Sequence, residues 1–205
     1  MALPLQPDLR PWPIWQRRIA TACAVILSIV ALGVIARPSR DRARLVVTGE
    51  RAFDSYPALV GRLIEQAQTR VWVMVFVLHP EDGGSGPVHD LVAALGAAKA
   101  RGVDVRFVLD LGKTWGTDTI DPKHEAASAL LEAAGVPVII DEIERTTHAK
   151  IVLVDDRHAV LGSHNWTRSA FVRNREVSVY HQDANLIAEL EPLFEAIPGF
   201  KQAGH

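Results

Sequence analysis

The residues whose types and spacing suit chemistry lie between Thr147 and Glu176, in the stretch THAKIVLVDDRHAVLGSHNWTRSAFVRNRE. His148-x-Lys150 is followed by Asp155, then by Gly162-Ser163-x-Asn165, then by Asn174-x-Glu176. Apolar, β-branched runs flank the polar turn Asp155-Asp156-Arg157-His158, which predicts a β-hairpin. Alternate residues of a strand share a face, so His148 and Lys150 project together, and Ser163 and Asn165 do the same on the returning strand. An imidazole, an ammonium, a hydroxyl and an amide then converge on one spot. That set suits a phosphodiester: the donors hold its oxygens, and an imidazole near its ordinary pKa can attack or donate a proton.

A rigid sheet must hold these groups, and the hydrophobic pattern predicts one. Residues 45–47 read as a short first strand, and residues 57–69 carry Leu59, Val60, Leu63, Ile64 and Ala67 at helical spacing. Residues 71–78, VWVMVFVL, are a continuous apolar run, as expected of a central strand buried on both faces. Residues 79–87 form a glycine-containing loop without phosphate-loop spacing. An Ala-rich helix at 88–101 closes at Gly102, and a strand at 103–109 ends on Asp110. Residues 112–119 read as a loop with Trp115 as a lip of the cleft, before a helix at 122–134 and a strand at 136–140. After the hairpin come a strand at 177–180 and a closing helix at 184–196. Alternating helices and strands predict an α/β layered domain with helices on both faces.

The chain has 205 residues, 48% of them hydrophobic, enough for one domain with an appendage. The appendage is N-terminal. A Pro- and Trp-rich tail at 1–18 leads into residues 19–36, an uncharged apolar run at the lower length limit for a membrane-spanning helix. A basic linker follows at 37–44, with Arg37, Arg40, Arg42 and Arg44. The expectation is an uncleaved single-pass anchor, as in a bacterial inner membrane. Export after signal-peptide cleavage near Ala36 is the alternative. Arginines flank both sides of the run, so the charge pattern selects no orientation.

The net charge of −2 conceals an asymmetry: residues 1–44 carry +5 and the remainder −7. So acidic a domain is not a general nucleic-acid binder. Between Arg145 and Glu176 the sign reverses to +3, which draws in an anionic substrate. The single cysteine, Cys23, excludes an intramolecular disulfide and a cysteine-based zinc site. No histidines pair at metal-ligand spacing, so neither a metal nor any other cofactor is expected.

The stretch resembles the signature of the phospholipase D superfamily, H-x-K-x4-D-x6-G-S-x-N, and matches it at every defined position. Trp166-Thr167 and Asn174-x-Glu176 are similar to the family as well. The resemblance implies a phospholipase D-like α/β/α sandwich with a mixed central sheet over residues 45–198, here preceded by one membrane-spanning helix. It implies that His148 is the nucleophile and passes through a phosphohistidine. Lys150, Ser163 and Asn165 would bind the phosphate oxygens, and Glu176 would orient the imidazole. Asp155 belongs to the signature and counts with the catalytic set, although its turn position suits structural hydrogen bonds equally well. His164 points away from Ser163 by alternation.

One His-x-Lys is present where the two-motif phospholipases and cardiolipin synthases have two. One imidazole cannot be both the attached nucleophile and the acid. The resemblance to single-motif members, bacterial endonucleases and a membrane-anchored mitochondrial enzyme, implies a homodimer with both copies of His148 across one site. The expected activity is phosphodiester hydrolysis, with phospholipid preferred as substrate and DNA or RNA as the alternative. An inactive phosphate-binding scaffold is the remaining reading, against which the intact His, Lys, Ser, Asn and Glu stand.

Overall fold

The computed structural model describes residues 43–48, 55–110, 122–141 and 145–204, all within one compact unit, Asp41–His205. The tail at 1–18, the apolar segment at 19–36, most of the basic linker and the Trp115 loop lie outside the described residues. Among the described residues no helix is long and apolar enough to cross a membrane.

In chain order the elements are β1 (Arg44–Val47), α1 (Tyr56–Gln66), β2 (Arg70–Val75), β3 (Leu78–His79), α2 (Pro87–Ala100), β4 (Asp104–Leu109), α3 (Pro122–Ala133), β5 (Val138–Ile140), β6 (Ile151–Val154), β7 (His158–Gly162), β8 (Trp166–Thr167), α4 (Arg168–Val172), β9 (Val177–His181) and α5 (Ala184–Glu195). Seven strands form one sheet in the order β1-β9-β7-β6-β2-β4-β5, and β3 pairs with β8 in a second. β2, β4 and β5 run parallel, while β6, β7, β9 and β1 are each antiparallel to their neighbours. The sheet is therefore mixed, as expected.

β2 lacks polar alternation because both of its faces are covered. Val71, Val73 and Val75 enter one core with side chains of α1, α2, α3 and α4. Trp72 and Met74 enter the other, with Ile187 and Phe194 of α5 and with Phe200. Each apolar side chain fully buried in these layers stabilises the fold by roughly 1.5–3 kcal/mol. The helix–Gly–Val units at Gly102 and Gly135 close alike. Val103 donates to the Ala98 carbonyl at 3.2 Å and Val136 to that of Leu131 at 3.0 Å, the six-to-one bond that ends a helix.

One local expectation needs correction. The apolar run at 71–78 is not one strand, because the ladder partners run out: Met74 is opposite Ile151, the first residue of β6, and Val75 is opposite Leu109, the last of β4. Beyond that point Leu78 and His79 pair instead with Trp166 and Thr167. The short helix α4 had no expectation in the sequence, because five residues show no helical period. Its start is set by Thr167, whose hydroxyl accepts from the Ala170 N–H at 3.1 Å.

Candidate active site

Topology brings distant segments to one edge of the large sheet. β2, β4 and β5 end there, the side on which open α/β sheets place ligands. β6 begins there, since Ile151 is opposite Met74, and β7 ends there. β9 begins at the same edge, with Ser178 opposite Gly162, and β1 ends opposite Val177. The close approach of β7 and β9 explains the motif glycine. A Cβ on Gly162 would lie 2.4 Å from the Cα of Ser178 and from the Val177 carbonyl oxygen.

His148 is exposed at this edge and Lys150 is buried beneath it. The Lys150 ammonium donates to the His148 carbonyl at 2.6 Å and lies 3.1 Å from His148 Nδ1. Phe76, released from β2, walls the pair: its ring centroid is 4.6 Å from that of His148 and 5.1 Å from Lys150 Nζ. Burial lowers the Lys150 pKa below the ordinary lysine value, against the upward pull of the Glu176 and Asp110 carboxylates. Desolvation prevails over the two charges. An ammonium donating to Nδ1 leaves the hydrogen of the neutral ring on Nε2.

The backbone before His148 is clamped by two buried carboxylates. Asp110 follows β4 and accepts from the Thr147 N–H at 2.8 Å. Asp141 follows β5 and accepts from the Thr147 hydroxyl. Thr147, Asp110 and Asp141 are all buried. Sequence reading placed Asp110 at a strand end but gave it no role, and it overlooked Phe76, Asp141 and Thr147. The available signal was an acid immediately after each of two consecutive parallel strands.

Ser163, Asn165 and Glu176 reach the same edge, each with a partner in place. The Ser163 hydroxyl accepts from the Val177 N–H at 3.0 Å and donates to the Val177 carbonyl at 3.3 Å, locking β7 to β9. Asn165 Oδ1 accepts from the Val77 N–H at 3.1 Å, which leaves its NH2 as donor. Glu176 accepts from Asn174 Nδ2 at 2.9 Å. Its charge acts on Lys150 and on His164. Among the described residues no hydrogen bond joins Glu176 to His148; the Lys150 ammonium faces Nδ1 instead.

Asp155, expected with the catalytic set, is not brought into this cluster. It lies beyond the far end of β6, about 17 Å from Lys150 at strand rise. There its carboxylate accepts from the N–H groups of Gln68, Thr69 and Arg70 and from the Thr69 hydroxyl, between 2.8 and 3.2 Å. Asp155 ties the hairpin turn to the start of β2. His164 is fully buried, bonded to Ser178 Oγ at 2.8 Å and Thr48 Oγ1 at 3.1 Å, and stacked on Tyr56. Burial lowers its pKa, so it stays a neutral core residue.

A cavity of about 460 Å³ opens beside β3 and β8, lined by His79, Glu81, Ser85 and Arg168 among others. Among the described residues no cluster of three or more His, Cys, Asp or Glu could hold a metal ion.

Residues 60–197 match the family model described as cardiolipin synthase, PLD-like domain. Over 96 residues the chain is 33% identical to a phospholipase D of Rickettsia bellii, covering 47% of this chain and 44% of that protein. It is 35% identical over 141 residues to cardiolipin synthase A of Pseudomonas aeruginosa, covering 65% of this chain and 25% of that one. The chain thus spans less than half the length of either relative. Among solved structures, the phospholipase D family member Nuc from Salmonella typhimurium superposes with a TM-score of 0.59 at 26% identity, covering 81% of this chain and 97% of Nuc. With its motif at the carboxyl edge of a mixed sheet and a family match over most of its length, the chain belongs to the phospholipase D superfamily of phosphodiesterases.

Proposed function

We propose that the protein hydrolyses a phosphodiester through a covalent phosphohistidine on His148, at a site shared across a homodimer, with phospholipid as substrate. The observation that carries this reading is the exposed His148 imidazole held at Nδ1 by a buried ammonium 3.1 Å away. The copy of His148 that protonates the leaving oxygen acts as the imidazolium, with a hydrogen on both ring nitrogens, so its Nδ1 no longer accepts from the Lys150 ammonium. In the attacking copy the ring nitrogen facing phosphorus is bare and the single ring hydrogen sits on the other nitrogen. Lys150 then turns its donors to the phosphate oxygens, together with the Asn165 amide and the Ser163 hydroxyl. The P–O bond to the leaving group breaks as the N–P bond forms, and water later cleaves the N–P bond. Phe76 and the buried clamp of Thr147 keep the imidazole in place.

The preference for lipid rests on residues 19–36, proposed as a single-pass membrane anchor, and on the acidic balance of the rest of the chain. A nucleic-acid phosphodiester is the second reading. It is favoured by the near-complete coverage of Nuc, a chain of similar extent, and by exposed Arg168, Arg173 and Arg175 near the site.

The test offers the detergent-solubilised full chain phosphatidylglycerol micelles, single-stranded DNA and RNA in parallel, with chelator present. Acid-labile phosphoryl adducts are then located by mass spectrometry. An adduct on His148 and turnover of lipid alone are expected. Nucleic-acid cleavage without lipid turnover would move the substrate to the second reading. The absence of any adduct, with full activity in His148→Ala, would remove the mechanism.

A further inference from the structure

The loop between β3 and α2 takes no part in the catalytic cluster, yet it is held in a definite shape. Glu81 Oε1 accepts from the Val88 N–H at 3.1 Å, and the Glu81 carbonyl oxygen lies 3.1 Å from His89 Nε2, so one residue pins the loop to the first turn of α2. Gly86, at a φ of 133°, passes so close that a Cβ there would lie 2.8 Å from the Glu81 carboxyl. This loop walls the cavity of about 460 Å³ that His79 and Arg168 also line, a volume within the range of small-ligand sites. Glu81 Oε2 is buried and has no hydrogen-bond partner among the described residues.

Two short strands lead from the proposed phosphate donors to the cavity. Val77 donates its N–H to Asn165 Oδ1 at 3.1 Å and accepts the Trp166 N–H at 3.0 Å, and from there β3 and β8 run parallel. Burial alternates along the second segment: His164 and Trp166 are fully buried, while Ser163, Asn165 and Thr167 are not. The last three therefore share the side turned away from the core. His79 is opposite Thr167 and follows the fully buried Leu78, so it faces that same side. His79 stands two residues past Val77, about 7 Å at strand rise, and Arg168 three past Asn165, at most about 11 Å. A phosphate held by Ser163 and Asn165 thus has the cavity within reach of the alcohol esterified to it.

We infer that this cavity is the subsite for the alcohol half of the substrate and selects an uncharged polyol, a cyclitol or sugar head group. The inference rests on the phosphodiester reading of His148 given above. The lining sets donors, Arg168 and His79, against acceptors, Glu81 and Asp82, and the Ser85 hydroxyl is both. A group bearing several hydroxyls gives and takes hydrogen bonds, so it satisfies both halves of that lining, including the unpartnered Glu81 oxygen. A second phosphate would meet two carboxylates, and an ammonium head group would meet the Arg168 guanidinium. No Phe, Tyr or Trp is among the described residues that line the cavity, so a nucleobase has no broad ring to stack on.

The test offers the detergent-solubilised full chain short-chain phosphatidyl esters of inositol, ethanol and choline in the same micelles. The inositol ester should exceed the ethyl ester in kcat/KM by about tenfold, the worth of one or two hydrogen bonds. Asp82→Ala and Arg168→Met should each reduce that ratio about fivefold and leave turnover of the ethyl ester unchanged. Both positions are exposed, so the melting temperature should hold, and Ser85→Ala replaces either variant if it does not. Equal rates for the inositol and ethyl esters, a preference for choline, or a ratio that survives these substitutions overturns the inference. Saturation-transfer NMR of glycerophosphoinositol with the His148→Ala chain reads occupancy without turnover. Transfer to the inositol protons, weakened by Asp82→Ala and Arg168→Met, is expected there, and its absence also overturns the inference. If wild type hydrolyses none of the esters while that transfer pattern holds, only the catalytic proposal fails.

Discussion

The ammonium of Lys150 sits under His148, donating to its carbonyl at 2.6 Å and facing its Nδ1 at 3.1 Å. One cation therefore touches both the backbone and the ring of the residue proposed to attack, before its donors turn to the phosphate. Lys150→Met keeps the stem and removes the charge. Turnover should fall by roughly 10²–10³-fold, the usual loss of one preorganised oxyanion donor. The melting temperature should stay level or rise, because a buried charge has been replaced by an apolar group of similar shape. A large drop in melting temperature together with activity would mean that Lys150 is chiefly structural.

The alkaline limb of activity should report the same ammonium. Burial already lowers the Lys150 pKa, and the Glu176 and Asp110 carboxylates oppose that shift. The folded enzyme thus loses this proton at lower pH than an ordinary lysine, near 10.4, would lose it. Glu176→Gln removes an upward pull, so the limb should move to lower pH still. A pH profile of kcat/KM for wild type and variant checks the direction. An unchanged limb, or one moved upward, would detach Glu176 from Lys150.

Much of this was legible in the sequence because it depends on short-range pattern. The apolar run of β2, the hairpin around Asp155 and the two Gly–Val helix closures are local, and the polar residues at fixed offsets located His148 and Lys150. The rest was illegible because topology, not spacing, creates it. Phe76, Asp110 and Asp141 follow three different strands and meet only because β2, β4 and β5 end side by side. Ring-nitrogen pairing could not be read either. A flexible ammonium two residues away reached Nδ1, while the carboxylate of Glu176 was taken by Asn174, two residues back.

A shared site predicts a specific mixing curve. His148→Ala subunits are exchanged into wild type at constant total protein, and hydrolysis is followed against the wild-type fraction. If each site needs both copies of His148, only wild-type pairs work, and activity should fall as the square of that fraction. Independent sites give a straight line. Linear loss, or specific activity unchanged by dilution, would end the dimer proposal.

Asp155 should act on stability and not on turnover. Burial pushes its pKa up, but hydrogen bonds from the backbone and hydroxyl of Thr69 and from the N–H groups of Arg70 and Gln68 prevail and hold it lower. A carboxyl whose folded pKa lies below its unfolded value of 3.8 stabilises the fold fully above that pH. The contribution is lost as pH falls through the lower, folded value. Asp155→Asn keeps a side chain that tolerates the φ of 52° at this turn but removes the charge. It should cost about 1–2 kcal/mol at neutral pH, towards the low end for bonds to a charged group because the turn faces solvent. That difference should shrink as both proteins are acidified from pH 3.8 down through the lower, folded value, where the folded wild-type carboxylate takes up its proton. Denaturant melts at several pH values, with turnover measured at neutrality, decide the matter. Lost turnover with an unchanged melt would return Asp155 to the chemistry.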